Sequence, residues 1–489
     1  MTFDWPDPAS PLLIDGHLRR GGAGEFVTLN PATEEVLGHA ANADVADLDD
    51  AITAARRAFD ETEWSRDVAL RAGVLRQFAK VLRDHSDELR ELTVAEAGVP
   101  VALTYGPQLD LPVGYLDWYA DLAESYEWRQ DLGKAEPMGI PTRRWIQREA
   151  TGVVGAITPW NFPHQITFAK LAPALAAGNT VVLKPPPDTP WCAAALGKLI
   201  AEETGFPPGV VNIVTSDDHS LGSRLVEDPR VDLVSFTGST ATGRSVMRTA
   251  ADTLKKVFLE LGGKSAYVVL DDADLAGACA IAAFTVCTHA GQGCALTTRL
   301  LVPRDQYDDA VEAAAGAMRR IKVGDPADKR TICGPVISAR QRERVEGYLK
   351  LARDEGGKIV CGGGRPAGRE TGFYIEPTLI AGLGNDARAA REEIFGPVLV
   401  IMPHDGDDDA VRIANDSPYG LSGTVHGGDL ERARAVAARI RSGTVGVNGG
   451  VWYAVDAPFG GYKQSGTGRE MGVAGFEEYL ETKLVAEPA

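Results

Sequence analysis

Cysteine is scarce in this chain, with six in 489 residues and no pair spaced C-x-x-C. That excludes a disulfide scaffold and makes a reducing cytoplasm the expected location. Long apolar runs are also missing. No stretch reaches the roughly 18 uninterrupted apolar residues of a spanning helix, so no membrane partner is expected. The opening, Met1 to Pro11, carries Asp4 and Asp7 where a secretory leader would place basic charge and an apolar run, so no leader is expected there. Basic charge is in deficit as well. Lys and Arg number 50 against 68 Asp and Glu, a net charge of −18, and so acidic a chain lacks the clustered cations that nucleic acid or an anionic membrane requires. Internal repeats and low-complexity segments are absent.

What is there fits a large soluble enzyme. The hydrophobic share is 44% and the charged share 24%, ordinary for globular proteins. At roughly 150 residues per domain the length allows about three domains. A helix is predicted from Ala43 to Asp60, with Val45, Leu48, Ile52, Ala55 and Phe59 on one stripe. A second helical block covers Arg66 to Val94. From residue 150, short Val- and Ile-rich runs alternate with helical stretches: Val153–Ile157, Val181–Leu183, Val210–Val214, Leu233–Phe236 and Tyr267–Leu270. Strand and helix in alternation predict a parallel sheet covered on both faces, with ligands beyond the carboxyl ends of the strands. A second α/β alternation follows from residue 271, with Gly-rich loops at Gly362–Gly364 and Gly460–Gly468. The polar stretch Glu127–Arg148 interrupts the pattern and reads as a protruding strand or hairpin.

Several short motifs carry chemistry, each with an ordinary alternative. Gly238 to Ser245 nearly spells a phosphate-binding P-loop, but Arg244 stands in place of the lysine. The turn is either structural or an anion site at a helix start, and a dinucleotide pyrophosphate suits it as well as ATP does. Cys294 closes Gly291-Gln292-Gly293-Cys294, straight after a helical stretch, and the glycines allow close approach to a ligand; the alternative is a small buried hydrophobe, as expected for the other five cysteines. A zinc site from Cys287 and His289 lacks further ligands at a usual spacing, so no metal is expected. Glu260, between apolar residues, is either a desolvated general base or a strand-end carboxylate facing water. Asn161 is either a turn former or a neutral hydrogen-bond donor.

Taken together the motifs are specific. Pro159-Trp-Asn-Phe-Pro163, Lys184-Pro185, Phe236-Thr-Gly-Ser-Thr240, Leu259-Glu-Leu-Gly-Gly-Lys264, Gly291-Gln-Gly-Cys294, Glu393-Ile-Phe-Gly-Pro397 and Pro458-Phe-Gly-Gly-Tyr-Lys463 occur in one order. Asn30-Pro-Ala-Thr-Glu34 and Ser465-Gly-Thr-Gly-Arg-Glu470 extend the match over nearly the whole chain. The chain resembles the NAD(P)-dependent aldehyde dehydrogenase superfamily. The resemblance implies oxidation of an aldehyde to the carboxylic acid through a cysteine thiohemiacetal and a thioester hydrolysed by water. It makes Cys294 the nucleophile, Asn161 the oxyanion donor and Glu260 the base, with Glu470 in a second proton-relay role.

For the cofactor, NAD or NADP, the resemblance implies Lys184 at the adenosine ribose and Glu393 and Phe395 at the nicotinamide side, with Thr158, Trp160, Gly238 and Ser239 nearby. Pro187 stands where many NAD-preferring members carry a glutamate, which predicts weak discrimination against NADP+. Phe162, Tyr453 and Phe459, joined by Trp452, match aromatic substrate-tunnel positions, while Gln165 and Ala169 imply a wider, partly polar channel. The implied fold is a Rossmann-type cofactor domain (1–126 and 149–260), an α/β catalytic domain (261–457) and a small β oligomerisation arm (127–148 and 475–489). The arm implies a homodimer or homotetramer. A CoA-acylating relative is the nearest alternative, although such enzymes generally lack the Glu260 base; a P-loop NTPase and a non-catalytic family member are more distant.

Overall fold

The computed structural model describes residues 11–489; the expectation of no leader falls on residues 1–10, outside them. Two large sheets dominate. The first has eight strands in the order Gly466–Thr467, Lys256–Glu260, Leu233–Thr237, Val153–Ile157, Thr180–Lys184, Val211–Ile213, Leu12–Ile14 and His17–Arg19. Its five central strands run parallel, and the strands at both edges are antiparallel. The central strands are buried on both faces, which is why they read as mostly apolar runs and not as alternating ones.

The run of parallel strands begins at the centre of this sheet. From Val153–Ile157 it builds outward through Thr180–Lys184 to Val211–Ile213, then returns to the other side at Leu233–Thr237. A crevice therefore opens at the carboxyl ends of Val153–Ile157 and Leu233–Thr237, the expected place for a ligand. Register aligns the strand ends there: Ile157 pairs with Lys184, Phe236 with Ile157, and Thr237 with Glu260.

The second sheet has seven strands, ordered Lys358–Cys361, Thr378–Ala381, Val398–His404, Thr297–Pro303, Ser265–Val269, Gly423–His426 and Gly446–Val447. Only Leu261 to Lys264 separate the end of Glu260's strand from Ser265, so the two sheets meet at that linker. The stretch read as a protrusion forms the hairpin Arg129–Ala135 and Thr142–Ala150, and Leu480–Pro488 pairs with it from the far end of the chain.

Some expectations needed adjustment. The predicted 66–94 block is two helices, Val68–Asp84 and Ser86–Ala97, broken at His85; no Gly or Pro marks the break, so the apolar period runs through it. The first helix, Val45–Glu61, begins at an Asp44 capping box, as a short acidic side chain before an apolar period allows. Its Val45 is exposed, and Ala51 and Ala58 complete the buried stripe. The loop at Gly460–Gly468, read as part of the second α/β unit, sends Gly466–Thr467 back to the edge of the first sheet.

Candidate active site

The linker between the sheets brings the motifs together by close backbone approach. A Cβ on Gly263 would lie 2.4 Å from the Cys294 carbonyl oxygen, and one on Gly262 would lie 2.6 Å from Glu393 Oε2. At Gly263 the obstacle is backbone, so only glycine admits that approach. The Gly263 N–H donates to Glu393 Oε1 at 2.9 Å, which joins the linker to the 393–397 loop. Gly291 has φ +73° and sits against the Gly396 carbonyl, so the cysteine loop rests on that same segment.

Cys294 occupies a turn just before Thr297–Pro303 and is partly accessible. Burial pushes its thiol well up, and the carboxylates of Glu260, then Glu393 and Glu470, push it further. A resting thiol in this setting is protonated and needs a base to become a nucleophile. Of the other cysteines, Cys192, Cys279, Cys287 and Cys333 are buried and Cys361 is partly so.

Glu260 ends its strand at 2% exposure, and neither carboxylate oxygen has a hydrogen-bond partner among the described residues. Burial raises its proton affinity well above the usual carboxylate range; Glu470 adds to this, while Lys170 and Arg469 oppose it. A buried carboxylate without partners is rare in a purely structural role, because it carries its full desolvation cost. Beside it, Lys170 Nζ meets Glu470 Oε1 at 2.8 Å and Ser235 Oγ at 3.0 Å, and the Tyr479 hydroxyl donates to the same Ser235. Sequence reading missed Lys170. Its signal was a lysine inside a helix, Pro163–Ala177, that is otherwise apolar along its middle.

Asn161 is 3% exposed and its Nδ2 donates to the Gln292 carbonyl at 2.8 Å, two residues before Cys294. An amide has two hydrogens, and the second remains for an oxyanion. The aromatic residues expected on the substrate side also gather here. Trp452 stacks on Phe459 at 5.9 Å, and Tyr453 meets Phe459 edge-on at 5.4 Å. The side chains of Gln165 and Tyr115 lie beside the Tyr453 hydroxyl, so polar groups do line this aromatic wall. Cys294, Trp452 and Tyr453 pack against the core cluster that contains Phe459. Phe162 stands edge-on to His289 at 5.6 Å.

The residues expected on the cofactor side stand at or just beyond the carboxyl ends of the first sheet's strands and in the 393–397 loop. Lys184 is 4% exposed, and among the described residues its ammonium reaches only the Pro185 and Ser216 carbonyls, at 3.3 and 3.4 Å. Burial lowers it to about 8 against the opposing pull of Asp218 and Asp217. Thr158 is buried one residue beyond its strand, and its N–H donates to the Lys184 carbonyl. Thr237 Oγ1 is buried without a partner. Ser239 caps the helix Thr240–Ala250, and the Gly238 N–H donates to the Glu260 carbonyl. A weakly held ammonium, an orphaned hydroxyl and a helix N-terminus along one edge fit an anionic dinucleotide. Packing accounts for the second glycine of the P-loop-like turn, since a Cβ on Gly243 would strike Leu261 at 2.5 Å. Arg244 binds Gln464. Phe395, at φ +63°, meets Trp160 edge-on at 5.4 Å. Pro187 lies in the turn after Lys184 and carries neither donor nor acceptor on its side chain.

The comparisons with known proteins agree with this arrangement. The aldehyde dehydrogenase family model matches residues 19–485. A 3-succinoylsemialdehyde-pyridine dehydrogenase from a Pseudomonas species is 44% identical, covering 96% of this chain and 97% of the relative. Geranial dehydrogenase of Castellaniella defragrans is 42% identical, covering 94% of each chain. Among solved structures, a mutant aldehyde dehydrogenase C from Pseudomonas syringae, in complex with NAD+ and octanal, has a TM-score of 0.93 at 41% identity, covering 98% of this chain and 97% of that one. With its motifs gathered at one cleft and its likeness running from end to end, this chain belongs to the aldehyde dehydrogenase family and is an aldehyde-oxidising enzyme.

Proposed function

We propose that the enzyme oxidises an aldehyde to its carboxylic acid by a hydrolytic cysteine mechanism. The observation that carries this reading is Glu260, fully buried at the site with both oxygens unpartnered. Glu260 takes the Cys294 proton, and the thiolate adds to the aldehyde carbon to form a tetrahedral thiohemiacetal. Asn161 donates its second amide hydrogen to the oxyanion, a contribution of ~3 kcal/mol for one such donor. When bound, NAD(P)+ accepts the hydride that the adduct loses, leaving a thioester on Cys294. Once the proton taken from Cys294 has passed to solvent, Glu260 removes a proton from the water that attacks the thioester and returns it to the Cys294 sulfur as the acid leaves.

The cofactor reading rests on Lys184, Thr237 and Ser239 together, and on the NAD+ bound in the Pseudomonas syringae relative. Glu393 and Phe395 would hold the nicotinamide side, with Trp160 against Phe395. Pro187 cannot accept a hydrogen bond from a ribose hydroxyl or repel a 2′-phosphate, so NAD+ is used with weak discrimination against NADP+. The stacked Trp452 and Phe459, with polar Tyr453 and Gln165 beside them, favour an aldehyde with a planar body larger than a two-carbon unit. The three-stranded arm, exposing Met138 and Ile140 at its tip, suits pairing with a second copy.

The test is product analysis with two variants, with and without CoA. Cys294→Ala should form no NADH, and Glu260→Gln should release one equivalent per site and then stall as thioester, or show no release if base-assisted thiol activation is also lost. Strict dependence on CoA, or normal turnover by Cys294→Ala, would refute the reading.

A further inference from the structure

Asn161 is held by more than its own side chain. Its main-chain carbonyl accepts two hydrogen bonds from buried side chains, Gln108 Nε2 at 3.0 Å and His289 Nε2 at 2.9 Å. Both lone pairs of that oxygen are therefore engaged. The carbonyl only accepts, which puts the His289 proton on Nε2, and burial lowers the ring to about 4, so it is neutral at working pH.

Neither side chain is well served as a purely structural residue. His289 is 1% exposed and Gln108 is fully buried, yet His289 Nδ1 and Gln108 Oε1 have no partner. Each contributes one hydrogen bond to the Asn161 carbonyl and leaves another polar atom buried and bare, which is costly. An apolar side chain would fold with less conflict. His289 and Ala290 are also both left-handed, at φ +49° and +52°, before Gly291 at +73°. Strain of this kind persists only where surrounding contacts over-determine it, and it collects at functional sites. Those contacts are present. Gln292 Nε2 donates to the His289 and Pro335 carbonyls, and its Oε1 accepts from the Ile337 N–H.

His289 and Gln292 lie on the loop that carries Cys294, and both bind Asn161, one at its carbonyl and one at its amide. The strained loop thus ties the nucleophile's segment to the donor's residue at two points, while Gln108 ties the donor from a third direction. We infer that His289 and Gln108 are positioning residues that aim the Asn161 amide at the oxyanion formed on Cys294. The inference rests on the proposed role of Asn161 as oxyanion donor.

The test is a double-mutant cycle on the single-turnover rate of NADH formation. His289→Ala and Gln108→Leu are each made alone and with Asn161→Ala. If the two residues act through the amide, each should slow the rate about 10- to 100-fold when Asn161 is present, the loss typical of a slightly misplaced group. Each should slow it less than about 3-fold once the amide is gone, and KM for the cofactor should stay unchanged in every variant. His289→Asn, which keeps a donor and tolerates a left-handed φ, should recover part of the rate. Equal losses in both backgrounds would overturn the inference, as would failure of both single variants to fold, which would assign the side chains to the fold. If Asn161→Ala itself retains normal turnover, the oxyanion assignment falls and takes this inference with it. That outcome is distinct from an additive cycle, in which Asn161 stands and only the positioning role is lost.

Discussion

Replacing Lys170 by Met and, separately, Glu470 by Gln should move the pH dependence of turnover in opposite directions. Glu260 lies against this pair, which Glu470 and Lys170 form at 2.8 Å with side chains at 4% and 0% exposure. Glu470 raises the proton affinity of Glu260 and Lys170 lowers it, so the two effects largely cancel while the pair is intact. Removing one member uncovers the other. A unit charge several ångströms away at an effective dielectric near 20 is worth ~1–3 kcal/mol, or ~1–2 pH units. Without Lys170, Glu260 keeps its proton to higher pH and is active as a base only there. The acid limb of kcat should therefore rise by about one to two units in Lys170→Met and fall comparably in Glu470→Gln. Lys170→Met also leaves the Glu470 carboxyl buried without its cation, which should cost ~3–5 kcal/mol of stability, whereas Lys170→Met with Glu470→Met should stay close to the parent. Steady-state pH profiles and unfolding of all four proteins give both readouts. Limbs that move in the same direction, or not at all, would mean that the pair does not act on Glu260 or that Glu260 is not the titrating base.

Two further predictions concern the cofactor and the arm. Pro187→Glu should introduce an acceptor for the ribose hydroxyls and a charge against a 2′-phosphate, raising the NAD+ over NADP+ ratio of kcat/KM by about 10²-fold (~2.7 kcal/mol); a parent enzyme that already prefers NAD+ above about 10³-fold would contradict the reading of Pro187. Ending the chain after Tyr479 removes Leu480–Pro488, the strand paired along Thr142–Ala150, and should lower the mass seen by light scattering to that of the monomer. An unchanged mass would place the assembly contact elsewhere.

Much of the fold was legible because burial on both faces writes itself into composition. The strands Val153–Ile157 and Leu233–Thr237 are almost wholly buried and largely apolar, and each is followed by a helix-start signal. The strands between Leu12 and Ala41 were not legible. Leu12–Ile14 and His17–Arg19 are three residues each, too short for a period; the first takes its place from pairing with Val211–Ile213 and the second from pairing with Leu12–Ile14. The helices Tyr307–Arg319 and Ala339–Asp354 were passed over for a different reason: their buried faces are largely Ala or narrow, and the charged residues between hide the stripe.

At the site, sequence alone determined which chemical groups are available: a cysteine between small residues, a carboxylate in an apolar strand end, an amide between prolines, and a lysine at a strand terminus. Those follow from local order, and the glycines around them mark where backbones must come close. Tertiary structure decided what surrounds each group. Lys170 and Glu470 are 300 residues apart, and Gln108 and Asn161 are 53 apart, so no local pattern could pair them. The proton affinity of Glu260 and the aim of Asn161 depend on those neighbours. Charge and desolvation act through space over a few ångströms, and only the folded chain sets those distances.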